Sequence, residues 1–188
     1  MNKKEVLTSN GKRIVICDDL FSLSERQLMY SFCKNSYYKL QGKDTDIIEL
    51  QNNISMISIF TMKDVKSMGF QSFIKDREIL DVFNNYQFES ALVNLSTPAD
   101  MHNVHTDAHG IPGITMLYYV NMRWSIEWAG ETVFLNETMT DFEFVSPYKP
   151  GRLVMFDGSI PHVIRPPIMK ADTLRMTFAL RFIKEHNE

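Results

Sequence analysis

The chain has only two cysteines, Cys17 and Cys33, and no Cys-x-x-Cys spacing. Neither a disulfide framework nor a zinc knuckle is indicated, and two reduced core thiols are expected. Long apolar runs are also missing. Nowhere do about 18 apolar residues follow one another, so no membrane-spanning helix is expected. The first ten residues carry lysines but no apolar segment of the export type, which points to a cytoplasmic protein. Eight glycines and seven prolines in 188 residues are too few for a fibre or a disordered chain. Positive charge is not in excess either: the formal net charge is −3, so nucleic-acid binding is disfavoured, with a local basic patch left open.

What is present suits one globular domain over residues 1–188, with 44% apolar and 12% aromatic residues to build a core. Residues 1–87 read as helical support and outer strands. Arg13 to Cys17 is an opening strand, and Ser22-Leu23-Ser24-Glu25 has the form of a capping box starting a helix that runs to about Asn35. A second helix is expected over Asp76 to Tyr86, where Ile79, Leu80 and Phe83 recur at intervals of three and four. Ile54 to Phe60 reads as a strand, preceded by the polar stretch Gln41 to Asn53, a loop or a lid.

From Phe88 the text changes to short strands punctuated by turns: Ala91–Leu95, Ile114–Asn121, Thr132–Leu135, Phe142–Val145, Leu153–Phe156, His162–Arg165 and Leu174–Ile183. The expected fold is mainly β with flanking α, a double-stranded β-helix (jelly roll) over about 88–184 supported by N-terminal helices.

The chemistry concentrates in that half. His105-Thr106-Asp107 on an extended strand puts an imidazole and a carboxylate on one face, and His162 supplies a second imidazole. Two histidines and one carboxylate facing one side of a metal leave other positions open, the arrangement of non-haem Fe(II) oxygenases. His109 is a rival third ligand, while His102 is expected near the entrance and His186 in a terminal tail. On the last strand Arg175, Thr177, Ala179 and Arg181 share one face, opposite Met176, Phe178, Leu180 and Phe182. An inward arginine needs an anion, and a co-substrate carboxylate held by Arg175 with Thr177 would provide it. Thr115, Leu117, Tyr119 and Asn121 share a face of an earlier strand, where the Tyr119 phenol is placed to donate to the same carboxylate.

HTD at His105–Asp107, YYVN at Tyr118–Asn121, EWAGET at Glu127–Thr132, PGRLVMFDGSIPHVI at Pro150–Ile164 and RMT at Arg175–Thr177 together resemble the 2-oxoglutarate- and Fe(II)-dependent dioxygenases, closest to prolyl 4-hydroxylases. The resemblance covers about Ala91 to Lys184. It implies His105, Asp107 and His162 as iron ligands, and Arg175 as anchor of 2-oxoglutarate with Tyr119, Thr177 and Leu117 beside it. It also implies O2 as co-substrate, ascorbate as a reductant, and hydroxylation of a prolyl or other peptidyl residue with release of succinate and carbon dioxide. The pair Arg175 and Arg181, with Asn94 upstream of the HxD, resembles instead the nucleic-acid demethylases of the AlkB type. A jelly-roll binding module without catalysis is the third reading.

Overall fold

The computed structural model describes residues 1–41, 55–100, 102–108 and 110–184. The stretch Gln41 to Asn53, apart from Gln41 itself, lies outside the described residues, as do His109 and His186.

Eleven strands and four helices are described: β1 (Asn2–Leu7), β2 (Arg13–Asp18), α1 (Leu23–Lys34), β3 (Lys39–Gln41), β4 (Ser55–Phe60), α2 (Met62–Ser67), α3 (Phe70–Phe73), α4 (Arg77–Asn85), β5 (Gln87–Ser96), β6 (Gly113–Tyr119), β7 (Thr132–Leu135), β8 (Phe142–Ser146), β9 (Leu153–Asp157), β10 (His162–Ile164) and β11 (Arg175–Ile183). All paired strands are antiparallel. A large sheet runs β1-β2-β9-β6-β11-β5-β4-β3 and a small one β10-β7-β8.

Local chemistry sets the helix starts. Ser22 caps α1 and the Glu25 carboxylate returns to the Ser22 N–H, forming the expected capping box. Thr61 and Asp64 repeat the device on α2, and Asp76 caps α4. Each cap satisfies N–H groups that a helix leaves unpaired, about 1 kcal/mol apiece.

The β-strand alternation sorts the core into two layers. Met176, Phe178, Leu180 and Phe182 of β11 point to the helical side, with Met116 and Tyr118 of β6, and pack on Met29, Cys33, Val65, Phe70, Ile79 and Val82. The opposite face of the same strands looks between the two sheets, where Leu117, Tyr119 and Ala179 meet Phe134, Tyr148, Val154, Phe156 and Ile160. Full burial of each large apolar side chain contributes roughly 1.5–3 kcal/mol. The helices thus stiffen the back of the large sheet and leave its inner face for polar chemistry.

One expected element is different. His105 to Asp107 is not a strand: only His105 makes a β-bridge, to His162. The reason is that the N–H groups of Asp107 and Ala108 both donate to the Gly158 carbonyl, at 2.8 and 2.9 Å, which draws the chain out of a ladder after one residue.

Candidate functional site

His105, Asp107 and His162 converge between the sheets, with one ligand atom from each lying within 4.8 Å of the others. His105 Nε2 is 3.8 Å from Asp107 Oδ1, and His162 Nε2 is 3.6 Å from Asp107 Oδ2. The bridge between His105 and His162, closed by reciprocal backbone hydrogen bonds of 3.0 and 2.9 Å, sets the two rings side by side. Each ring is oriented from behind: Nδ1 of His105 sits 3.0 Å from the Asn103 carbonyl, and Nδ1 of His162 3.0 Å from that of Ile160. A carbonyl can only accept, so both Nδ1 atoms carry the proton and both Nε2 lone pairs face the carboxylate. Burial pushes the His162 pKa down to about 4 against the pull of Asp107, which keeps this imidazole neutral and ready to ligate.

Asp107 is gripped by a register pair. Arg181 of β11 lies opposite Thr115 of β6. The Thr115 hydroxyl donates to Oδ2 at 2.7 Å, and Arg181 Nη2 stands 2.5 Å from Oδ1 as an ion pair without hydrogen-bond alignment. Burial opposes the charge on Asp107, but His162, Arg181, His105 and the Thr115 hydroxyl outweigh it and hold the carboxyl below its usual range. The residues suit a divalent metal that prefers nitrogen and oxygen donors, because the set offers two neutral imidazoles and one ionised carboxylate on one side.

At the other end of the inner face, Arg175 has no exposed surface. Its Nε donates to the Gly130 carbonyl at 2.7 Å, Nη1 to Thr177 Oγ1 at 3.2 Å and Nη2 to Thr132 Oγ1 at 3.3 Å. The Tyr148 and Tyr119 rings lie 5.2 and 5.7 Å from its central carbon. Among the described residues no carboxylate forms an ion pair with it, and burial pulls its pKa down against the opposing pull of Tyr119, Tyr148 and Glu131. Two of its five N–H donors remain. Gly130 allows this approach because its φ is +84°, and a Cβ there would meet Trp124 at 2.9 Å and Arg175 Cδ at 3.4 Å.

The other expected residues have the following surroundings. Tyr119 is on the inner face, but its hydroxyl donates to Thr132 Oγ1 at 2.9 Å rather than toward an open position. Leu117 packs in the inner apolar layer. Asn121 braces the end of β11: its Oδ1 accepts from Met176 N and from the Tyr148 hydroxyl. His102 lies 3.2 Å from Ser96 Oγ. Thr132 was not singled out by the sequence, because all four residues of β7 are buried and show no alternation. Its oxygen accepts from both Tyr119 and Arg175, which leaves its own proton to give.

No family model matches the sequence, and no curated protein matches it. Solved structures match the fold. A prolyl-4-hydroxylase from Pseudomonas putida is 14% identical over 92% of each chain, with a TM-score of 0.65. An oxidoreductase of the 2OG-Fe(II) oxygenase family from Burkholderia pseudomallei is 9% identical over 92% of this chain and 86% of its own, with a TM-score of 0.68. A prolyl hydroxylase from Trichoplax adhaerens, in complex with a hypoxia-inducible-factor peptide fragment, is 15% identical over 91% and 83%, with a TM-score of 0.56. The chain therefore has the double-stranded β-helix fold of the 2-oxoglutarate- and Fe(II)-dependent oxygenases and carries a His-x-Asp…His cluster inside it.

Proposed function

We propose that the protein is a 2-oxoglutarate- and Fe(II)-dependent oxygenase that hydroxylates a C–H bond of a prolyl or other peptidyl residue. The observation that carries the reading is Arg175: a guanidinium without exposed surface, held by three neutral acceptors and in no ion pair with a carboxylate of the described residues, on the same inner face as the His105, Asp107 and His162 cluster. A buried cation in that state is stabilised by a dicarboxylate that brings the missing anion.

In this reading His105, Asp107 and His162 hold the iron, and Arg175 with the Thr132 and Thr177 hydroxyls binds the distal carboxylate of 2-oxoglutarate. Iron and co-substrate supply the oxidant when bound, O2 being consumed as 2-oxoglutarate is split to succinate and carbon dioxide, with ascorbate as reductant. The protein's own contribution is orientation. Thr115 and Arg181 fix both oxygens of Asp107, the Asn103 and Ile160 carbonyls fix the imidazole tautomers, and apolar Leu117 and Ala179 keep the space between the sheets dry. The peptidyl substrate draws on the likeness to the two prolyl hydroxylases, one of which holds a peptide. Arg181 forms an ion pair with Asp107, an internal role for it, and the net charge of −3 adds nothing for a nucleic acid.

The test is succinate formation by anaerobically iron-loaded protein with a panel of proline-containing peptides and a methylated oligonucleotide. Peptide-stimulated turnover with the gain of one oxygen is expected, and Asp107→Ala should remove both metal binding and succinate. Stimulation by the oligonucleotide alone overturns the peptidyl substrate, and undiminished turnover in Asp107→Ala overturns the ligand set.

A further inference from the structure

The large sheet carries a second feature at its far end. β4 pairs with β3 only through Ser55, Met56 and Ile57, the last pair being Lys39 with Ile57. On the other side it pairs with β5 as far as Phe60. Among the described residues, Ser58 to Phe60 therefore have no strand neighbour on the β3 side. A cleft of about 370 Å³ lies along this free edge, lined by Tyr37, Lys39, Ser58, Ile59, Phe60 and Asp64 among others.

Its walls are unusual for a surface. Tyr37 is 90% exposed and Ile59 58%. Among the described residues Lys39 makes no ion pair, whereas Asp64 across the cleft accepts hydrogen bonds from the Thr61 N–H and hydroxyl. The sheet register joins this place to the inner site. Thr177 pairs with Asn94, Asn94 with Ile57 and Ile57 with Lys39, so one row of residues on one face runs from the Arg175 pocket to the cleft. At about 4.8 Å per strand, the row is about 14 Å long, the reach of roughly four extended residues. Asn94 sits in the middle of it, paired to both strands through its backbone and with no side-chain hydrogen bond among the described residues.

We propose that this cleft docks an extended peptide segment that carries an acidic side chain. A free strand edge offers main-chain hydrogen bonds to another extended chain and to few other ligands, and that is how β-addition binds peptides. Ile59 and the Tyr37 ring receive alternate apolar side chains, and Lys39 receives the carboxylate. Asp64 repels an acid at the opposite rim, so the charge sits at the Lys39 end. The proposal deepens the peptidyl reading of the site, but docking is measurable without turnover, so the two fail separately.

The probe is a fluorescein-labelled hexapeptide of threonine and valine with one glutamate, titrated by anisotropy into the metal-free full chain. It is expected to bind at least threefold more tightly than its glutamine counterpart, with the difference vanishing in 0.5 M salt. Lys39→Glu should weaken the glutamate peptide at least tenfold and leave peptide-independent succinate formation unchanged. Arg175→Met should bind the peptide like the wild type. Equal binding of the two peptides, no binding of either, or indifference to Lys39→Glu overturns the proposal, as does loss of binding in Arg175→Met.

Discussion

Arg175 is a cation buried where the protein supplies hydroxyls and a carbonyl but, among the described residues, no carboxylate at ion-pair distance. The consequence separates function from stability at one residue. Replacing a buried charge by an apolar side chain of similar volume is often neutral or stabilising. Arg175→Met is therefore expected to melt at the same temperature as the wild type or higher when unliganded, while its affinity for 2-oxoglutarate falls at least 100-fold. Calorimetric titration and thermal melts on the same samples check both halves, and a strongly destabilised variant would show that Arg175 is structural. Thr132 yields a finer prediction. Its oxygen already accepts from Tyr119 and Arg175, so its proton is the available one, and losing one hydrogen bond of about 1–1.5 kcal/mol in Thr132→Val should weaken 2-oxoglutarate about tenfold with metal affinity unchanged. An unchanged co-substrate affinity removes Thr132 from the site. The sequence made Arg175 legible because β11 alternates cleanly between an apolar and a polar face. It hid Thr132 because both faces of β7 are covered, and it did not show the bond from Tyr119 to Thr132 because a hydroxyl's partner depends on neighbouring strands.

At the level of elements, what was readable followed from local rules. The capping box at Ser22 and the helix capped by Asp76 appear where the spacing places them, since those bonds lie within four residues. β1 was invisible: it is a charged, exposed edge strand without alternation, and it exists because it pairs with β2. The HxD segment failed as a strand because a distant carbonyl, that of Gly158, claims its N–H groups. Such long-range ties carry stability that can be measured. Asp18 at the end of β2 accepts from Arg152 at 2.8 and 3.0 Å and from Lys149 at 3.0 Å, fastening β2 to the segment leading into β9. Arg152 and Lys149 hold the Asp18 carboxyl below its usual range against the effect of burial. A carboxyl with a depressed folded value stabilises the fold above its unfolded value and loses that contribution as pH falls through the folded one. Asp18→Asn should thus cost about 1–3 kcal/mol at pH 7, a gap that starts to close below about pH 4. Denaturant titrations from pH 7 to pH 3 test this, and a gap constant over that range would place the effect in packing.

On the scale of the whole molecule, the two ligand regions bridge the two sheets. His162 is on β10 and Thr132 on β7 of the small sheet, whereas Arg175 and Thr177 are on β11 of the large one, with Asp107 on the segment that joins β5 to β6 of the large sheet and reaches the small one through the bridge between His105 and His162. The histidines and the arginine could be named from the sequence, but that they clamp one space from opposite walls is a property of sheet order, which no local pattern encodes. A metal and a dicarboxylate bound together should then tie the sheets as a unit. Ligands that bind only the folded state stabilise it by about 2.7 kcal/mol at 100 times their dissociation constant, and for a chain of this size that corresponds to a rise in Tm of roughly 5–10 °C. Anaerobic Mn(II) with 2-oxoglutarate is expected to give such a rise, with slowed amide exchange in β7, β10 and β11 alike. 2-Oxoglutarate without metal should give a much smaller rise, because Arg175 then engages one carboxylate while the other has no partner. Equal shifts with and without metal, or protection confined to one sheet, would mean that the dicarboxylate and the histidine cluster do not share a ligand, and the reading of the space between the sheets as one active site would fall.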